Sequence, residues 1–130
     1  MKRITLYFLA VGFIFLITGC LGTSEYDLHT GTWRLVQLAP SVPNAELDFN
    51  VNGTVIYKNL DAATIDTGDY TLRASIEHRY LEIFELPIDT TQELESYNGK
   101  WTIIKLDETS LIMAIPTPGV GIIQREFEKL

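Results

Sequence analysis

The chain has 130 residues, 46% of them hydrophobic, and a formal net charge of −7. That length supports one domain with a modest core, and the acidic balance argues against nucleic acid and against a polybasic grip on anionic lipid. A single cysteine leaves no framework of internal disulfides and no thiolate metal cluster.

The first twenty residues have the three parts of a secretory signal. Lys2 and Arg3 form a positive n-region, and Ile4 to Ile17 form an apolar run broken only by Thr5, Tyr7 and Gly12. Two small residues, Thr18 and Gly19, then precede Cys20, the only cysteine. The stretch Ile17-Thr18-Gly19-Cys20 resembles the lipobox of bacterial lipoproteins. The resemblance implies cleavage before Cys20 and lipidation of that residue by a diacylglyceryl group, usually with an N-acyl chain. Two or more chains hold a protein stably on a bilayer, whereas one holds it weakly. Residue 21 is Leu rather than Asp, which lacks the inner-membrane retention signal of enteric-type bacteria and leans toward the outer membrane. The competing reading is an uncleaved helical anchor with an ordinary buried cysteine. A membrane-spanning helix needs about 20 apolar residues, and this run reaches that only if counted through Gly22. On the lipoprotein reading, residues 1–19 are a signal peptide, 20–28 are the lipidated cysteine and its tether, and 29–130 are the domain. Loss of Lys2 and Arg3 moves the charge from −7 to −9, because all 17 acidic residues lie beyond the signal.

From residue 29 on, the apolar period is two. Candidate strands run over 31–38, 46–51, 54–59, 68–74, 79–85, 99–106, 109–116 and 121–128. They are short, rich in Val, Ile, Thr and aromatics, and separated by turn residues, as in an all-β barrel or sandwich. Gly31, Trp33, Leu35 and Gln37 share a face of the first strand. Asn52-Gly53 marks a hairpin with two competing registers. A two-residue turn places Lys58 on the face of Leu47 and Phe49. A three-residue loop with Gly53 left-handed instead aligns Leu47 and Phe49 with Tyr57 and Val55. The second register is favoured, because an unpaired buried Lys costs far more than an exposed Ile56. Residues 61–67 read as a polar loop. Residues 86–98 form a longer acidic linker with Asp89, Glu93 and Glu95, in which Thr90-Thr91-Gln92-Glu93 fits a capping box and one or two helical turns. Pro116, Pro118, Gly119 and Gly121 make the last loop. No period of 20–50 residues repeats.

The order of short motifs is similar to that of the lipocalin-like domains in small lipoproteins of Bacteroidetes-type bacteria. The matching pieces are Gly31-Thr32-Trp33, Phe49-Asn50 with Gly53-Thr54, Tyr70-Thr71-Leu72, and Leu106-Asp107-Glu108-Thr109-Ser110-Leu111. The resemblance spans about residues 29–130. The resemblance implies an antiparallel up-and-down barrel of about eight strands, with ligand carriage in general terms. It also implies a structural signature of Gly31, Trp33 and Arg125, in which Arg125 of the last strand lies across Trp33 and shuts one end.

Catalytic constellations are thin. His29 and His78 are the only histidines and read as solvated or capping groups, whereas a zinc site needs three or four converging ligands. There is no nucleophile elbow and no phosphate loop. Asp61, Asp66, Gly68 and Asp69 lack the alternate spacing of a calcium loop. Alternation points Asp48, Asp69 and Glu82 outward. The expectation is a non-enzymatic protein without cofactor or metal.

The inward face collects Trp33, Leu35, Phe49, Tyr57, Tyr70, Leu72, Leu81, Ile83, Trp101, Ile103, Leu111, Met113 and Phe127. Eight strands enclose an interior that side chains just fill, or one that holds a small ligand. Two functions follow. The first is a membrane-anchored envelope protein binding a small hydrophobic molecule, with Tyr57, Tyr70, Trp101 and Met113 as ligand-facing residues and the two tyrosine hydroxyls as orienting groups. The second is a filled barrel that acts as an interaction or structural module of the envelope.

Overall fold

The computed structural model describes residues 26–36, 42–75, 77–87 and 96–130. The signal segment 1–19, Cys20, the first part of the tether, Gln37 and the capping-box stretch 90–93 with Asp89, Glu93 and Glu95 lie outside the described residues.

Eight strands follow one another: β1 (Trp33–Leu35), β2 (Ala45–Phe49), β3 (Thr54–Asn59), β4 (Thr64–Ala74), β5 (Arg79–Phe84), β6 (Gly99–Leu106), β7 (Ser110–Thr117) and β8 (Gly121–Lys129). Each pairs antiparallel with the next, and β8 returns to β1, which closes the barrel. The closing seam is short, three residue pairs from Leu35 opposite Phe127 to Trp33 opposite Lys129, and closure gives each strand a neighbour on both sides.

The β2–β3 hairpin takes the three-residue register. Leu47 pairs with Tyr57 and Phe49 with Val55, the Asn50 N–H donates to the Thr54 carbonyl at 2.9 Å, and Gly53 has φ +87°. That backbone region costs an L-residue roughly 1–2 kcal/mol, which explains the glycine. Lys58 consequently points outward. It pairs with Asp48 at 2.8 Å and lies 3.9 Å from Glu46, while Arg34 holds Glu46 at 2.6 Å. This ladder of charges crosses three strands on the outer wall. The hydrogen bond to Asp48 is the main reason the Lys58 ammonium is held above its usual pKa.

The β6–β7 hairpin is built by its own motif. The Asp107 carboxylate accepts the N–H groups of Thr109 and Ser110 at 2.9 and 2.8 Å. Leu106 and Leu111 pair across the turn, both buried. A bulge between Ile103 and Lys105 shifts the register, so that Ile103 and Leu106 are both buried although an odd number of steps separates them.

Two elements differ from expectation. β4 begins at Thr64, so the second half of the 61–67 loop is strand. Its inward positions there are Thr64, Asp66 and Gly68, which give no apolar alternation, and pairing with β3 draws them into the sheet. Together with His29, residues 26–28, expected as the end of the tether, form a helical turn. Its Leu28 is fully buried within the core cluster, so the folded part starts before residue 29.

Candidate functional site

The chain alternates direction at every strand, so its loops sort to two ends. At one end lie the β2–β3, β4–β5 and β6–β7 connections, together with the 26–29 helical turn and Leu130. At the other lie the connections β1–β2, β3–β4, β5–β6 and β7–β8.

The first end is floored. Leu28 enters the core, and the Trp33 indole N–H donates to the Leu28 carbonyl at 3.0 Å. Lys129 donates to the Asp27 carbonyl at 2.8 Å and to Thr30 Oγ1 at 3.1 Å, with its ammonium 4.7 Å from the centre of the Trp33 ring. The cation over Trp33 is therefore Lys129 and not Arg125. The register decides this: Trp33 pairs with Lys129, whereas Arg125 lies four residues back along β8, opposite Met113, or about 13 Å away at the usual rise per residue. Gly31, at φ +100°, lets the Lys129 stem pass. A Cβ there would sit 3.1 Å from Lys129 Cγ.

Tyr70 belongs to the same floor. Its hydroxyl donates to the Asn50 carbonyl at 2.8 Å and is hydrogen-bonded to His29 Nε2. A phenol carries one proton, so His29 Nε2 is the donor in that pair. Tyr70 packs edge-on against Phe49 at 5.0 Å. Its hydroxyl thus fastens the helical turn to the barrel wall.

Tyr57 and Trp101 come together at the loop end, through a residue that strand periodicity did not single out. Tyr97, two residues before the start of β6, is buried inside the barrel. Its ring centroid lies 5.3 Å from Tyr57, 6.3 Å from Trp101 and 6.0 Å from Phe127, side chains of three different strands. The Trp101 indole N–H donates to the Tyr97 carbonyl at 2.7 Å. The neighbouring Asn98 reproduces a backbone pairing with Leu86, accepting its N–H at 3.1 Å and donating to its carbonyl at 2.8 Å. Each end of the 86–98 connection is therefore fixed by an apolar side chain, Leu86 and Tyr97, turned inward. Both read as linker residues because neither belongs to an alternating run. Met113 is fully buried opposite Ile103 and Arg125.

The two ends differ in burial. Around the floor, Leu28, Trp33, Leu47, Leu111 and Phe127 are at most 1% exposed. Toward the loop end, Ala45, Tyr97 and Trp101 are buried as well, while Tyr57, Ile115, Ile123 and the loop residue Val42 pack on the core but are only partly buried, as is Leu72 nearer the floor. By register, Asp66 beside Tyr57, and Arg125 between Ile123 and Phe127, lie on the same inward face. Apolar and aromatic walls with a few polar groups suit a small hydrophobic or amphipathic molecule.

His29 sits in the floor and His78 in the β4–β5 turn, where its N–H is capped by Ser75 at 3.1 Å. Among the described residues, no group of three His, Cys, Asp or Glu side chains could hold a metal ion, and no helix is long and apolar enough to cross a membrane. No family model, curated protein or solved structure matches the chain.

Proposed function

We propose that this chain is an exported bacterial lipoprotein of lipocalin-like type, anchored through Cys20 to the outer membrane, whose barrel binds a small hydrophobic molecule at its loop end. The observation that carries the reading is the asymmetry of the barrel. One end is sealed by Leu28, Trp33 and Lys129, and toward the other Tyr57, Tyr97 and Trp101 gather beneath partly buried Ile115 and Ile123. A sealed floor beneath an apolar, partly accessible upper half is the arrangement a carrier needs, because the guest leaves water on entry and has one way out. The anchor rests on the Ile17-Thr18-Gly19-Cys20 stretch following a charged and then apolar leader. The binding role is not catalytic.

One observation favours the second reading, a filled barrel serving as an envelope interaction module. Tyr97 already occupies part of the interior that a guest would use. Mass spectrometry of the domain (residues 21–130), purified without detergent and then denatured, separates the two. A stoichiometric small apolar molecule in the extract is the result expected of the carrier. A clean extract from native and refolded samples alike supports the filled module.

A further inference from the structure

The helical turn that floors the barrel is also the first described element after Cys20. Six residue steps separate Cys20 from Tyr26, and a fully extended chain covers at most about 20 Å over that length. The nine residues of β8 rise about 20 Å along the barrel axis at the usual strand tilt. To bring the loop end onto the bilayer, the tether would have to run straight up the wall and past the loops, with nothing left to reach the lipid.

The surfaces agree with the tether. The outer wall of β1–β3 carries the Arg34–Glu46–Lys58–Asp48 ladder, and such a wall loses hydration if laid on a lipid surface. The floored end exposes Tyr26, Val51 and Leu130 toward such a surface; the loop end also exposes apolar side chains, Leu60, Ile65, Phe84, Val120 and Ile122, so the reach of the tether, and not apolarity, selects the end that faces the lipid. Tyrosine suits the headgroup zone because one end of its ring is apolar and the other is wet. Glu77, Asp107 and Glu108 lie at the same end, so the surface fits zwitterionic headgroups better than anionic ones.

We propose that the barrel stands on its own membrane by the floored end, with Tyr26, Val51 and Leu130 toward the headgroups and the loop end facing the aqueous side. This rests on the lipid-anchor reading of Cys20. A guest then exchanges with the aqueous compartment, or with a partner arriving from it, and not by lateral passage from the bilayer beneath. Val120 and Ile122, exposed at the tip of the uncharged β7–β8 hairpin, point away from the anchor.

The test uses the full chain, processed in a bacterial host and reconstituted into phosphatidylcholine–phosphatidylethanolamine vesicles that carry a nitroxide on the headgroup. Val51→Cys and Val120→Cys each place one fluorophore on an exposed turn; acylated Cys20 does not take the label. The expected result is loss of emission at position 51 and retained emission at position 120. Quenching at 120 alone, or equal quenching at both, overturns the orientation while leaving the anchor intact. Absence of acyl mass on Cys20, with protein that stays off the vesicles, overturns the anchor reading and the orientation with it.

Discussion

Lys129 illustrates how one side chain serves several roles in the floor. Its stem passes over Gly31, its ammonium faces the Trp33 ring, and it donates to Asp27 and Thr30. A cation over an indole is worth about 0.5–2 kcal/mol, and each hydrogen bond about 0.5–1.5 kcal/mol. Lys129→Met is therefore expected to lower stability by about 1–3 kcal/mol and to shift Trp33 emission, while Arg125→Met leaves that emission unchanged. Chemical denaturation with fluorescence readout checks both. Asp107 makes a pH-dependent contribution. The N–H groups of Thr109 and Ser110 pull its carboxyl from 3.8 down to about 2. A carboxyl depressed on folding stabilises the protein above its unfolded value, and that contribution is lost as pH falls through the folded value. The melting-temperature gap between wild type and Asp107→Asn should therefore be full at pH 5 and close between pH 4 and 2. A gap that persists at pH 2 would contradict this assignment.

Among the elements, the hairpins were the most legible. Asn52-Gly53 with alternating neighbours determined the β2–β3 register once an unpaired inward Lys58 was rejected, and Leu106-Asp107 with Leu111 marked the β6–β7 turn. Such local signals need only a few residues. The partner of Trp33 was not legible, because it depends on how β1 and β8, nearly a hundred residues apart, slide against each other. Leu28 looked like tether because a single helical turn has no period to detect. Tyr97 looked like linker because the barrel recruits it from outside any strand. Gly53→Ala should cost about 1–2 kcal/mol, since φ +87° disfavours a Cβ. Asn98→Ala removes both hydrogen bonds to Leu86. It should release the base of the 86–98 connection, seen as faster amide exchange at Leu86 with β1–β3 unchanged. Unaltered exchange at Leu86 would mean that Asn98 does not hold that connection.

For the whole molecule, the up-and-down barrel was legible because eight short alternating runs admit few closed arrangements. What the interior holds was not, since large inward side chains serve a packed core and a ligand wall equally well. On the proposed carrier function, the guest sits at the loop end, beside Trp101 and away from Trp33. The most direct measurement is a titration of the domain with a fluorescent fatty-acid analogue, read by energy transfer from tryptophan in wild type, Trp33→Phe and Trp101→Phe. Saturable transfer that survives Trp33→Phe and largely disappears in Trp101→Phe is the predicted result. No saturable transfer in wild type, or transfer that depends on Trp33, would contradict a binding site at the loop end.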